Sequence, residues 1–239
     1  MLTFNGKDLS ELIRVTEING RGPLSQTTIR QSIPGKDGSF FQRRQLTERV
    51  LSVSFLMIAD SLNDLRKKVD QLNGVLNTDF EVPIVFSDEP NMTYYGILEG
   101  NSDLEEIASV GKGTLTFVCT DPFKYGIEKR VSFTQSVNQT GLGSYQTPLR
   151  LVATITEPVK EYKVFHQEQD KYVKIKWDFQ KEDILEVHFH NGKILINDQL
   201  AMTSFDWASS EFFDLLPGKQ TITVTDGTTT ELIWRPRWI

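Results

Sequence analysis

"RVLSVSFLMIADSLNDLRKKVDQLNGVLN" (Arg49–Asn77) settles the fold class, because its hydrophobic period changes once, near the middle. Leu51, Val53, Phe55 and Met57 share one parity while Ser52 and Ser54 take the other, which predicts a half-buried strand. After Asp60 the apolar residues are Leu62, Leu65, Val69, Leu72 and Leu76, at spacings of three and four. That stripe predicts an amphipathic helix over about 61–77 that faces a core. Ser61 suits the N-cap, with Asp64 three residues on. Asp64 with Lys68, and Arg66 with Asp70, stand at i,i+4 on a solvated face.

Downstream the period returns to two. Val82, Ile84 and Phe86 alternate, "TYYGIL" (Thr93–Leu98) is rich in strand formers, and Leu115, Phe117 and Cys119 alternate again. Between the first two strands "SDEPNM" (Ser87–Met92) has turn chemistry, since Ser and Asp accept backbone N–H bonds and Pro presets φ. Asp88 and Glu89 are adjacent carboxylates, whereas acid/base pairs mostly come from separate segments, so the turn reading is preferred to a catalytic one. Cys119 falls on the apolar parity and reads as a small buried hydrophobe rather than a nucleophile.

Upstream, "INGRGPLSQTTIRQSIPGKDGSFFQRRQLTER" (Ile18–Arg49) reads as a long irregular arm flanked by short strands. From Arg21 to Arg49 it carries six basic side chains against Asp37 and Glu48. Connections longer than ~12–15 residues are usually functional or disordered. No GxxxxGK[ST] or GxGxxG pattern opens a helix here, so phosphate binding is set aside. A basic arm on an acidic protein suits an acidic surface, including that of a neighbouring copy, and Arg21, Arg30, Arg43 and Arg44 are the candidate contacts.

The second half repeats short strands and turns. "SFTQSVNQTGLGSYQTP" (Ser132–Pro148) has no clear period and reads as a linker or an edge crossing, dividing domains at 1–131 and 132–239. In "KYVKIKWDF" (Lys171–Phe179), Val173, Ile175, Trp177 and Phe179 share one parity. Hairpins are expected around Asn191-Gly192 and Asp226-Gly227. The class is therefore mainly β with one amphipathic helix: an α+β N-terminal domain followed by an antiparallel β-sandwich or jelly roll.

Composition limits the function. The net charge of −6 argues against a general nucleic-acid or anionic-membrane binder. No segment approaches the ~20 apolar residues of a membrane span, and no signal peptide is recognisable, so synthesis in a cytoplasm is expected. A single cysteine excludes internal disulfides and thiolate metal clusters. Glu186, His188 and His190 share one strand face, but a solvated polar face is the simpler reading, and no metal or cofactor is expected. Parity puts Trp177, Trp234 and Trp238 on apolar faces, leaving Trp207 as the candidate for exposure and for sugar stacking.

The ordered set "INGRGPL" (Ile18–Leu24), "RVLSVSFLMIAD", "VFSDEPNMTYYGILEG" and "GTLTFVCTDPFKYG" (Gly113–Gly126) resembles the distal tail protein family of long, non-contractile-tailed bacteriophages, over about residues 12–126. The second half, including "FFDLLPGKQTITV" and the ending "WRPRWI", is similar in pattern to that family's galectin-like sandwich. The resemblance implies a structural, non-enzymatic protein of the virion tail tip and a homo-hexameric ring made by the N-terminal domains. It also implies a belt that clasps the neighbour, landing on about residues 20–49. The implied partners are the tail tube protein, the tail-associated tip protein and, in many members, receptor-binding proteins. The second domain lacks the long insertion that carries a carbohydrate-binding module in larger members. The alternative is a carbohydrate-binding adhesion module that recognises cell-wall sugars through Trp207.

Overall fold

The computed structural model describes residues 1–100, 104–107, 109–140 and 143–239. The chain divides into two compact units, Met1–Lys124 and Tyr125–Trp238, each built around its own apolar core.

The first unit runs β1 (Leu2–Phe4), β2 (Lys7–Asp8), β3 (Arg14–Asn19), β4 (Gln26–Gln31), β5 (Phe40–Leu46), β6 (Arg49–Ile58), α1 (Leu62–Leu76), β7 (Val82–Phe86), β8 (Tyr94–Leu98), β9 (Leu104–Ile107) and β10 (Val110–Cys119). Its main sheet has the order β2-β1-β7-β8-β10-β6-β3, with β9 also paired to β10. The strand at Arg49–Ile58 is central to it, paired with β10 from Val110↔Ile58 to Cys119↔Arg49 and with β3 on its other side. The predicted alternation holds: Leu51, Val53, Phe55 and Met57 are buried. The helix buries Leu65, Leu72 and Leu76 in the same core as those strand residues, each burial stabilising by about 1.5–3 kcal/mol. Leu62, expected on the stripe, opens the first turn of the helix and is 54% exposed. Ser61 caps the helix by accepting the Asp64 N–H at 3.2 Å.

The irregular arm expected over 20–49 is more ordered than its glycines and prolines suggested. Strands β4 and β5 pair with each other alone, from Gln26↔Leu46 to Gln31↔Phe40, with a bulge at Gln42.

After β11 (Lys124–Tyr125), at the point of division, the second unit runs β12 (Lys129–Phe133), β13 (Ser136–Gln139), β14 (Leu149–Ile155), β15 (Val159–His166), β16 (Lys171–Phe179), β17 (Ile184–His188), β18 (Lys193–Ile196), β19 (Gln199–Leu200), β20 (Gln220–Val224), β21 (Thr228–Trp234) and β22 (Arg237–Trp238). Two antiparallel sheets, β12-β21-β14-β17-β18-β19 and β13-β20-β15-β16, share one core. The Tyr162 and Thr230 hydroxyls join them by a buried hydrogen bond of 2.9 Å.

Of the two readings of 132–148, linker or edge crossing, the edge holds: the stretch carries the end of β12 and all of β13, the outermost strands of the two sheets, whose polar composition is that of edges. Lys129–Phe133 pairs with β21 within the second compact unit, Tyr125–Trp238, and residues 141 and 142 lie outside the described residues. Asp226-Gly227 turns the chain, but β20 and β21 belong to different sheets, so the turn is a corner of the sandwich and not a hairpin. Trp177, expected on the apolar face, is 44% exposed where a bulge opposite Val159–Glu161 adds a residue to β16, while Phe179 beyond it is buried again.

Candidate functional site

The hairpin arm is the feature that a core cannot explain. Along β4 and β5 only Ile29 and Leu46 are partly covered, and both faces of the ribbon are otherwise open. Phe40 is 45% and Phe41 65% exposed, and Ile33 at the tip is 47% exposed. An isolated two-stranded hairpin is marginal in water, and exposed aromatics beside arginines are the composition of an interface rather than of a free surface.

The structure separates the four arginines expected to make contacts. Arg43 and Arg44 are exposed on β5 and have no ion-pair partner among the described residues. Arg30 is exposed on β4, with its Nε held by the Thr28 hydroxyl at 2.8 Å. Arg21 stands at the foot of the arm and is engaged within its own chain: its guanidinium lies 2.8 Å from the Asp88 carboxylate and 4.9 Å from the Phe86 ring centre. Arg30, Arg43 and Arg44 are thus displayed, whereas Arg21 is an anchor.

The same anchor explains the paired carboxylates. The turn between β7 and β8 closes with Glu89 N–H donating to the Phe86 carbonyl at 3.0 Å. Glu89 then accepts from Lys124 at 2.8 Å and from the Tyr94 hydroxyl at 3.2 Å. The Lys124 hydrogen bond, ahead of its charge, holds the Glu89 carboxyl below its ordinary range, and the Arg21 hydrogen bond does the same for Asp88. Both acids are held ionised by cations, the opposite of a proton donor's environment.

Arg49 is the functional residue that the sequence reading passed over. It is only 3% exposed, and its guanidinium donates to the carbonyls of Pro122 at 2.8 Å and of Gly20 and Gly22 at 2.9 and 3.4 Å. It therefore ties the outgoing limb of the arm to the returning strand. Its signal was legible: Arg49 has the same parity as Leu51, Val53, Phe55 and Met57, a cation on the core face. Gly20 completes the foot, with φ +90° and an added Cβ 1.9 Å from the Val50 carbonyl oxygen. Only glycine satisfies both demands.

Other candidates resolve as structural groups. Burial pushes the Cys119 thiol up to about 12, so it is an inert core group. Glu186 bridges Arg150 at 3.1 Å and His188 at 2.8 Å, and no group of three or more metal-ligating side chains occurs among the described residues. Trp207 is 70% exposed, its ring edge-on to Phe205 at 4.7 Å, on the loop that pairs Phe205 with Ile175 of β16.

Residues 5–119 match the model of the phage tail protein RIFT-related domain, and residues 142–238 match that of the siphovirus-type tail component, C-terminal domain. The distal tail protein of Bacillus phage SPP1 is 32% identical over 215 residues, covering 86% of this chain and 85% of that protein. The chain belongs to the siphophage distal tail protein family. A crystal structure of the SPP1 Dit protein, described as a paradigm of the hub adsorption apparatus in phages infecting Gram-positive bacteria, superposes with a TM-score of 0.88 at 26% identity. It covers 100% of this chain and 98% of that one, so this distal tail protein shares the fold from end to end.

Proposed function

We propose that the chain is a non-enzymatic assembly hub at the tip of a long non-contractile phage tail. In this reading the first units close into a hexameric ring, and each β4–β5 arm is a belt laid on the neighbouring copy. The tail tube protein sits on one side of the ring, and the tip protein and receptor-binding proteins sit on the other. The observation that carries the reading is the arm: a folded ribbon with exposed Phe40, Phe41, Arg43 and Arg44, tied firmly at its foot and uncovered along its length. Family membership supplies the setting, because the SPP1 relative is described as a hub of an adsorption apparatus. Arg30, Arg43 and Arg44 are the proposed belt contacts, and Arg21 holds the foot.

The experiment is deletion of the gene from its phage followed by microscopy of the particles. The expected result is the loss of tails with a completed tip and the loss of infectivity, restored by the gene in trans. Complete, infectious particles from the deletion would remove the hub reading.

A further inference from the structure

A concavity lies in the second unit. It has a volume of about 340 Å³, and its walls include Gln169, Lys171, His190, Phe212, Asp214 and Arg237. That volume is within the range of ~300–1,000 Å³ usual for small-molecule sites.

The wall is built rather than incidental. Phe212 stacks on Phe205 with centres 4.9 Å apart and meets the edge of Phe189 at 5.6 Å. Gly192, in the β17–β18 turn, leaves room for that ring, since a Cβ there would come within 3.3 Å of it. Gln169 donates its amide to the Asp214 carbonyl at 2.6 Å, which fixes the two segments that carry them. The Asp214 carboxylate itself accepts no hydrogen bond and joins no ion pair among the described residues, although it is half-buried. Burial pushes its carboxyl up from the ordinary range, against the pull of Arg237, His190 and Lys171. Lys171 is already paired with Glu211. The open side of this carboxylate can accept hydrogen bonds from a bound group.

The charges decide the class of ligand. Lys171 is paired with Glu211, and the Asp214 carboxylate opposes a phosphate or carboxylate guest. One acid and no second carboxylate or thiolate makes a poor cation site. What remains is a wall of hydrogen-bond acceptors and donors beside an aromatic ring. A guest that fits it has neighbouring hydroxyls, which both donate and accept, and an apolar C–H face to lie on the ring. We infer that the cleft lined by Asp214, His190, Gln169, Arg237 and Phe212 is a binding site for a neutral saccharide. Asp214 accepts from the sugar hydroxyls, His190 and Arg237 hydrogen-bond to its oxygens, and Phe212 supports a ring face. This site is separate from the exposed ring of Trp207.

Saturation-transfer NMR on the full chain tests the inference, with glucose, galactose and N-acetylglucosamine as probes and inorganic phosphate as the anionic comparison. At least one of the sugars is expected to receive magnetisation, and Asp214→Asn and His190→Ala are each expected to weaken its affinity about tenfold, the loss of one charged or strong hydrogen bond. His190 is exposed, so its substitution leaves the fold intact even if Asp214→Asn disturbs it. Trp207→Ala should change nothing. The inference is overturned if none of the sugars binds, if binding survives both cleft variants, if it is lost with Trp207→Ala, or if phosphate alone binds.

Discussion

Arg49 shows how one side chain can hold an arm to a sheet. Its donors occupy three carbonyls on two separate segments, so removing it takes a charged donor from both. Arg49→Leu is expected to lower the stability of the first unit by about 2–4 kcal/mol, read as an earlier urea midpoint, because hydrogen bonds from a charged donor are worth about 1.5–3 kcal/mol each and overlap in effect. Gly20→Ala should cost at least about 2 kcal/mol by the same measurement, from a positive φ and a blocked Cβ together. Glu89 sets a pH dependence with a definite sign. Its folded pKa lies below its ordinary 4.5, so its contribution is present above that value and is lost as pH falls through the folded pKa. Glu89→Gln should therefore be less stable than the parent at neutral pH and show a shallower fall in acid, checked by melting temperature across pH. Parity exposed Arg49 as an anomaly in the sequence, but its partners Gly20, Gly22 and Pro122 are brought to it only by folding.

Among the elements, local pattern fixed type better than company. The alternation in Arg49–Ile58 and the stripe in Leu62–Leu76 read directly as strand and helix, because each buries one face against a single core. Asp226-Gly227 read as a hairpin because a turn signal carries no information about which sheet receives the next strand. Trp177 was misplaced for a related reason: a bulge is a register event between β15 and β16, visible only when both are in place. The arm was legible as basic and long, while its pairing was obscured by the glycines at its tip. Its exposure yields a paired prediction. Reversing charge at Arg43 and Arg44 should leave the thermal stability of the single chain within about 0.5 kcal/mol, since both side chains are exposed and neither has an ion-pair partner among the described residues. The same change should raise the concentration needed for self-association by about tenfold or more, measured by analytical ultracentrifugation. A destabilised chain with unaltered association would reverse the assignment.

For the whole molecule, family and fold class could be read from ordered motifs, because turns and strand periods are local and survive in sequence. The saccharide cleft could not, since its wall joins Gln169, His190, Phe212, Asp214 and Arg237 from separate parts of the chain. The central claim is that the first unit is one segment of a ring and the arm is its clasp. Light scattering of the purified chain over a range of concentrations tests it most directly. The account predicts a species near six times the 27.3 kDa chain mass that Arg43→Glu with Arg44→Glu converts to smaller ones. A monomer at every concentration, identical in the variant, would contradict it.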